Sequence, residues 1–314
     1  MKAEMYYNRT IKPELESLIL KKYSWLIDEV YMHNELDFQI GSNNSKTWFS
    51  IYRGTSRILS IYPNGDFVAA EAYKKVYNEF YKNPNKKNFD ILLERINDNP
   101  YFGKYYINEK EEKKEGYYQN LISRRYSLNC ESEDELVIID KECVFGYANK
   151  IVKERRLDPI RSQYDDLIHI IKSKYPSWSK NFKQTGEEFD FVALTKSGDI
   201  LVLELKRCKD GTKTYLSPLQ AGKYEDITKM YIKDFYDDFN KAVHEMIEQK
   251  KRMGIIAPAW NIPKKLSGKV KSAVIVGGSA SKNVKDRYKK VRAIVSKDIP
   301  YYECEKDGKL KYIF

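Results

Sequence analysis

Asp190, Glu204 and Lys206 lie within one apolar stretch of the chain, and their types and spacing can support metal chemistry. The stretch runs from Phe189 to Lys206 and reads FDFVALTKSGDILVLELK. Glu204 and Lys206 are two residues apart, so on a strand they share one face, while Leu203 and Leu205 point to the other. Charged groups on an apolar strand require partners, because an unpaired buried charge is costly.

The turn within this stretch predicts the partner of Glu204. Residues 196–198 read Lys-Ser-Gly, which fits a three-residue hairpin loop with glycine in the left-handed conformation. That loop places Asp190 directly opposite Glu204, with Cβ atoms about 4.5–5.5 Å apart on one face. Two carboxylates that close repel unless a cation lies between them, and a divalent metal together with Lys206 meets that requirement. A two-residue turn would instead place Asp190 opposite Leu205.

Two motifs in this region are similar to those of a known enzyme superfamily. Asp190 followed by Glu204-Leu205-Lys206 resembles the D-x(n)-E-x-K core of the PD-(D/E)xK nucleases. Further on, Gln220-Ala221-Gly222-Lys223-Tyr224 resembles the QxxxY motif of RecB-type exonucleases. Gln220 and Tyr224 are four residues apart, so on a helix they share one face. The resemblance covers about residues 155–314 and implies a restriction-endonuclease-like α-β-β-α-β core with a central mixed sheet.

The resemblance implies metal-dependent hydrolysis of phosphodiester bonds. Asp190, Glu204 and the backbone carbonyl of Leu205 would hold Mg²⁺ or Mn²⁺. Lys206 would stabilise the attacking water and the developing negative charge. The glutamine and tyrosine of the second motif would position the substrate backbone or the metal-bound water. Lys223 and Lys213 are candidate phosphate contacts, although a surface lysine is more often simply solvated.

Two features depart from the superfamily pattern. Phe189 stands where many relatives have proline before the first carboxylate. Many relatives also carry a metal-binding glutamate on the first helix of the core. In this chain the candidates near that position are Glu154, Gln163, Asp165 and Asp166, and the sequence does not distinguish among them.

Local signals predict the elements that position these residues. Asp158-Pro159 predicts the start of the first helix, which should end near Tyr175, before Pro176. Ser217-Pro218 predicts the start of the second helix by the same logic, with a break near 226–234 and an end near Met253. After it we predict a strand at 271–278 and a basic helix at 281–290. Three short strands are predicted at 292–296, 301–305 and 310–314.

The first half of the chain predicts a separate α+β domain. We expect this domain to span residues 1–145 and the nuclease-like domain to span 146–314. Its predicted helices lie at 13–32, 66–82 and 88–96, and its predicted strands lie at 36–41, 47–53, 57–63 and 135–140. It shows no catalytic constellation, so we expect it to recognise the substrate or a protein partner, including a second copy of the chain.

Composition and charge restrict the function classes. The chain has 314 residues, of which 42% are hydrophobic, and a net charge of +11. Residues 250–314 hold 17 basic and 5 acidic residues, which favours nucleic acid as the partner. Because most basic residues are lysine, an AT-rich gene is an equally good explanation of the excess on charge alone.

Other features of the sequence argue against metal sites built on histidine or cysteine, against disulfide frameworks and against membrane insertion. The three histidines lack metal-ligand spacing, and the four cysteines are far apart, which argues against zinc sites and disulfide frameworks. No apolar run approaches the roughly 20 residues of a membrane span, and the N-terminus lacks a signal-peptide core. We therefore expect a soluble cytoplasmic protein without membrane association.

Two functional hypotheses remain from the sequence. The first is a Mg²⁺- or Mn²⁺-dependent nuclease that acts on DNA rather than RNA, in phage defence, restriction or repair. The second is a non-catalytic nucleic-acid-binding module that keeps the nuclease-like fold. Retention of Asp190, Glu204 and Lys206 together favours the first, because degenerate relatives usually lose one of these groups.

Overall fold

The computed structural model describes residues 4–42, 46–178 and 186–314. The chain divides into two compact units. The six-stranded unit contains the described residues of the segments Met1–Tyr7, Ser132–His244 and Trp260–Phe314. The four-stranded unit contains the described residues of Asn8–Glu131 and Glu245–Ala259.

The six-stranded unit is built on a mixed sheet. In spatial order its strands are Leu310–Tyr312, Tyr301–Cys304, Val270–Gly277, Ile200–Arg207, Phe189–Thr195 and Leu136–Cys143. Three adjacent strands run parallel to one another: Tyr301–Cys304, Val270–Gly277 and Ile200–Arg207. The remaining neighbouring pairs of the sheet are antiparallel. A separate two-stranded ladder pairs Met5–Tyr6 with Gly146–Tyr147. The central strands are nearly continuous runs of buried apolar residues, as expected of a sheet covered on both faces.

Three helices complete this unit, and two of them begin earlier than the sequence predicts. The helices are Lys150–Lys174, Gly211–Arg252 and Lys282–Val295. The first begins eight residues before Asp158, because the Asn149 side chain caps it by accepting a hydrogen bond from the Val152 amide at 3.0 Å. Pro159 and Pro218 therefore lie inside helices rather than at their first turns. The predicted starts at Asp158 and Ser217 are wrong.

The long helix Gly211–Arg252 contains a kink. Phe235 has non-helical backbone angles, φ −136° and ψ 36°, one residue beyond the predicted break. The residues from Glu245 onward belong to the four-stranded unit. Gly254 follows the helix with φ +71°, as expected of a glycine that ends a helix.

The C-terminal helix extends through a segment predicted as a strand. Residues 292–296 are rich in β-branched side chains, yet the helix continues to Val295. Tyr288, Val291 and Val295 are all buried and lie at helical spacing on one face. They pack into a core with Val274 and other buried side chains of the sheet. Burial of this face outweighs the local strand propensity.

The four-stranded unit is an antiparallel sheet with small helices. Its strands are Leu36–Ser42, Thr47–Arg53, Ser56–Ile61 and Phe67–Val68, paired in that order. Its helices are Pro13–Lys22, Ser24–Met32, Glu71–Val76, Asn78–Lys82, Lys86–Asn97, Pro100–Gly103 and Glu115–Arg125. The single helix predicted at 66–82 is wrong, because Phe67 and Val68 form the edge strand and Tyr77 separates two short helices. The helix predicted at 13–32 is interrupted at Tyr23.

The protein is thus a mixed α/β structure with a six-stranded mixed sheet. The division between the units differs from the predicted boundary at residues 145 and 146. The strand Leu136–Cys143 precedes that boundary but pairs with Phe189–Thr195 in the six-stranded sheet. Residues 245–259 follow the boundary but belong to the four-stranded unit. No helix among the described residues has the length and apolarity that a membrane crossing requires.

Candidate active site

The hairpin that carries the charged residues has the predicted register. The Gly198 amide donates to the Thr195 carbonyl at 2.9 Å, and the Thr195 amide donates to the Asp199 carbonyl at 3.0 Å. Gly198 has φ +79°, the left-handed conformation that the three-residue loop requires. The ladder then continues through the pair Phe191 and Leu203. The paired residues end there, and one further step in the same register would align residues 190 and 204.

Asp190 is fixed to the neighbouring strand by its carboxylate. Its Oδ2 accepts a hydrogen bond from the backbone amide of Leu205 at 2.6 Å. The side chain is half-buried at the end of the strand Phe189–Thr195. This bond ties the first carboxylate to the strand that carries Glu204, and so the positions of the two acids depend on one another.

Glu204 and Lys206 form a buried ion pair. Glu204 has no solvent exposure, and the Lys206 side chain is 11% exposed. The Lys206 Nζ donates to Glu204 Oε1 and, at 2.9 Å, to the carbonyl oxygen of Leu205. One ammonium group therefore contacts both the carboxylate and the carbonyl that the sequence assigns to a metal ion.

The second motif lies on the helix Gly211–Arg252 and faces these strands. The Gln220 Nε2 donates to the Tyr224 hydroxyl at 2.6 Å. Tyr224 is buried, and its ring lies 4.7 Å from that of Phe189, centroid to centroid. Burial, followed by the negative charge of Glu204, raises the pKa of the Tyr224 hydroxyl, and Asp190 contributes in the same direction. Of the five sequence-predicted residues, Glu204 contacts Lys206 and Gln220 contacts Tyr224, while the Asp190 carboxylate bonds to the Leu205 amide between Glu204 and Lys206.

Phe189, the residue before the first carboxylate, has a packing role. It is fully buried between Tyr224 and Phe145, whose ring centroid lies 5.6 Å away. An aromatic side chain here fixes the helix of the second motif against the strand that begins with Phe189. The phenylalanine thus supports the position of Tyr224 relative to this strand.

The candidate metal ligands of the first helix are exposed or half exposed. Gln163, Asp165 and Asp166 are exposed. Glu154 is about half exposed, and its carboxylate lies 3.5 Å from Lys150 Nζ on the same helix. Glu188, which the sequence analysis did not select, contributes to the raised pKa of the Tyr224 hydroxyl and so lies electrostatically close to the site. Its position two residues before Asp190 is the signal that would have found it.

Lys223 is an interior residue rather than a surface cation. Its side chain is 1% exposed, and its Nζ lies 3.5 Å from the Gly186 carbonyl and 3.9 Å from the Glu187 carboxylate. Burial is the largest cause that lowers the pKa of this ammonium group. This burial argues against the direct phosphate contact expected from sequence, whereas Lys213 is exposed.

The basic C-terminal segment is divided between the two units. Residues 250–259 belong to the four-stranded unit and residues 260–314 to the six-stranded unit. Several of its lysines pair with acids: Lys271 with Asp199, Lys285 with Glu303 and Lys297 with Asp226. Its exposed lysines are spread along the segment: the helix Lys282–Val295 carries Lys282, Lys289 and Lys290, and others lie before it (Lys264, Lys265, Lys269) and after it (Lys306, Lys309, Lys311).

The oxygen atoms of the site fit a hard divalent cation. The candidate ligands are two carboxylates and one carbonyl, and such ligands suit Mg²⁺ or Mn²⁺ better than softer metals. The contact between Lys206 Nζ and the Leu205 carbonyl shows that this carbonyl and the Glu204 carboxylate reach the same cation. Asp190, Glu204 and Leu205 therefore fit the metal-ligand set expected from sequence.

Another group of potential metal ligands lies in the four-stranded unit. Glu29, His33 and Asp90 each place one ligand atom within 4.8 Å of the others. Lys86 already pairs with Glu29, which neutralises the buried carboxylate of this group. The cluster is therefore explained as an ion-pair network.

Comparisons of the chain with protein-family models, curated proteins and solved structures find no match.

Proposed function

We propose that the protein is a metal-dependent nuclease of the PD-(D/E)xK type that hydrolyses phosphodiester bonds of DNA. The observation that carries the proposal is the hairpin register, in which the Asp190 carboxylate bonds to the backbone amide of Leu205, between Glu204 and Lys206 on one strand face. The hydrogen-bonded pair Gln220 and Tyr224 lies beside them, as the second motif requires.

The order of elements around the site supports the same proposal. A helix, Lys150–Lys174, precedes the hairpin of Phe189–Thr195 and Ile200–Arg207. The helix Gly211–Arg252 and the strand Val270–Gly277 follow, and this strand runs parallel to Ile200–Arg207. This α-β-β-α-β order with a mixed sheet is the arrangement expected of a restriction-endonuclease-like core.

Each group of side chains has a separate role in phosphodiester hydrolysis. Asp190, Glu204 and the Leu205 carbonyl would hold the divalent ion, which when bound acidifies a water molecule and neutralises phosphate charge. The Lys206 ammonium stabilises the negative charge that develops on the phosphate oxygens. The Gln220 side chain, oriented by its bond to the tyrosine hydroxyl, holds the attacking water or the substrate backbone in place.

A substrate panel tests this function. Purified protein is incubated with supercoiled plasmid, linear duplex, single-stranded DNA and RNA, in Mg²⁺, in Mn²⁺ and in EDTA. We expect metal-dependent cleavage of DNA that is lost in EDTA and in Asp190→Asn and Lys206→Ala. Lys196→Ala, at the opposite end of the same hairpin, is the matched control and should cleave normally.

The outcomes separate the alternatives. Full cleavage by both Asp190→Asn and Lys206→Ala would show that this site is not the catalytic one. Preferential cleavage of RNA would change the substrate class. Salt-dependent DNA binding without cleavage under any metal condition would identify a binding module instead.

A further inference from the structure

Lys206 contacts the same oxygen atoms that the proposed function assigns to the metal ion. Its Nζ donates to Glu204 Oε1 and to the Leu205 carbonyl at 2.9 Å. The resemblance assigns the lysine and the ion different roles in the reaction. In the structure, however, the lysine contacts two of the oxygens that would hold the ion.

If the ammonium group and the divalent ion both contacted these oxygens, the two cations would repel each other strongly. Mg²⁺ lies about 2.1 Å from its oxygen ligands. An ammonium 2.9 Å from the Leu205 carbonyl would then lie within about 5 Å of the ion. Repulsion at that separation is weakly screened, because Glu204 is fully buried and Lys206 nearly so.

Lys206 is the partner that can move. Its ammonium is carried on a flexible four-carbon stem, and 11% of its side chain reaches solvent, whereas Glu204 has none of its side chain exposed. Asp190 is anchored by the Leu205 amide at 2.6 Å. The lysine can therefore turn toward solvent or a substrate phosphate while both carboxylates stay in place.

We infer that Lys206 is an internal counter-ion that competes with the divalent metal for Glu204 and the Leu205 carbonyl. Arrival of the ion displaces the ammonium, which is then available to the phosphate. The lysine thus lowers metal affinity while serving the reaction. This inference rests on the proposed function, since it assumes that the ion binds at these oxygens.

The inference predicts that one substitution moves two measurements in opposite directions. Lys206→Met removes the competing charge and keeps much of the apolar stem. We expect Mn²⁺ to bind this variant about tenfold more tightly than the wild type, by isothermal titration calorimetry. Saturating Mn²⁺ should also raise its melting temperature by more than it raises that of the wild type, because the ion replaces the lost counter-ion of a buried carboxylate. DNA cleavage should be lost.

The controls distinguish competition from general effects of charge. Lys196→Met makes the same change at the opposite end of the hairpin and should leave Mn²⁺ affinity unchanged. Lys206→Arg keeps a cation at the site and should not gain affinity. Lys206→Gln, which is neutral and polar, is used in the same titration if circular dichroism shows that Lys206→Met does not fold.

Each result bears on a different claim. Equal or weaker Mn²⁺ binding by both neutral variants, with a wild type that binds Mn²⁺ and cleaves DNA, overturns the competition and leaves the nuclease proposal intact. A wild type that neither binds Mn²⁺ nor cleaves any substrate overturns both. Tighter binding in the neutral variants alone supports the competition.

Discussion

The backbone amide of Leu205 donates a hydrogen bond of 2.6 Å to Oδ2 of Asp190, so the first acid of the site is held by the strand that carries the second. A shift of one residue in the hairpin register would turn Glu204 and Lys206 to the opposite face of the sheet. The site is therefore a property of the hairpin register, and not only of the residue types. Asp190 therefore has two roles that can be separated by mutation: its carboxylate accepts the hydrogen bond, and it carries a negative charge.

Asp190→Asn and Asp190→Ala separate these two roles. The amide oxygen of asparagine can still accept the bond from Leu205, whereas alanine cannot. We expect Asp190→Asn to unfold in urea within about 0.5 kcal/mol of the wild type, and Asp190→Ala to lose about 1–2 kcal/mol. Both variants should lose metal-dependent cleavage, because both lack the carboxylate charge. Cleavage by Asp190→Asn at the wild-type rate would contradict a metal-ligand role for this residue.

Gly198→Val tests the turn that sets the register. Gly198 has φ +79°, and an added Cβ would lie 3.2 Å from Leu266 Cα and from the Ser267 amide nitrogen. We expect a loss of about 1–3 kcal/mol in the free energy of unfolding, because both the backbone conformation and the space exclude a branched side chain.

Gly186→Ala is the control for Gly198→Val. An added Cβ at this position has no heavy atom of the described residues within 4 Å, and no left-handed conformation is required there. Urea unfolding should therefore differ little from that of the wild type. Equal stability of Gly198→Val and the wild type would contradict the proposed basis of the register.

Local sequence signals were sufficient for the hairpin and for the spacing within the site. The loop at 196–198 fixed the pairing by its length and its glycine, and the structure confirms that pairing. The four-residue spacing of Gln220 and Tyr224 places them on one helix face, where they hydrogen-bond. Both predictions depend on chain geometry over a few residues, which tertiary packing did not alter.

Signals that compete with tertiary packing were less reliable. The Asp158-Pro159 pair is a common helix start, but capping by Asn149 begins the helix about two turns upstream. The strand propensity of residues 292–296 yields to burial of Val291 and Val295 in the helix. Long-range partners, such as the strand Leu136–Cys143 beside Phe189–Thr195, leave no local trace in the sequence.

Tyr224→Phe tests the second motif without disturbing its packing. The ring contact with Phe189 at 4.7 Å is retained, while the hydroxyl that accepts from Gln220 is removed. We expect DNA cleavage to fall about tenfold, because Gln220 loses its orientation, with a change of only about 1 kcal/mol in the free energy of unfolding.

Tyr231→Phe is the matched control for Tyr224→Phe. Tyr231 is a buried tyrosine seven residues further along the same helix, and its ring stacks on Phe145 at 4.6 Å. Its hydroxyl has no role in the proposed site, so cleavage should continue at the wild-type rate. Equal rates in Tyr224→Phe and Tyr231→Phe would contradict a functional role for the motif.

Glu225 gives the stability of the six-stranded unit a defined dependence on acid. Its Oε2 accepts bonds from the Ser272 amide at 3.1 Å and the Ser272 hydroxyl at 2.7 Å, which tie the helix to the central strand Val270–Gly277. Burial, the largest influence, acts to raise the pKa of this carboxyl. The hydrogen bonds from Lys229 and Ser272, with the charge of Lys297, outweigh burial and hold the pKa below its ordinary value of 4.5.

The sign of the pH effect follows from that lowered pKa. The unfolded chain binds a proton at Glu225 more readily than the folded chain does, so stability falls as the pH falls. The contribution is fully present above pH 4.5 and is lost as the pH drops through the lower folded value. Glu225→Gln should therefore be less stable than the wild type at pH 7, and the difference should shrink as the pH falls below 4.5. Melting temperatures across this range measure the difference, and Asp286→Asn, at an exposed acid of another helix, serves as the control. A constant difference between wild type and Glu225→Gln across the range would contradict the linkage.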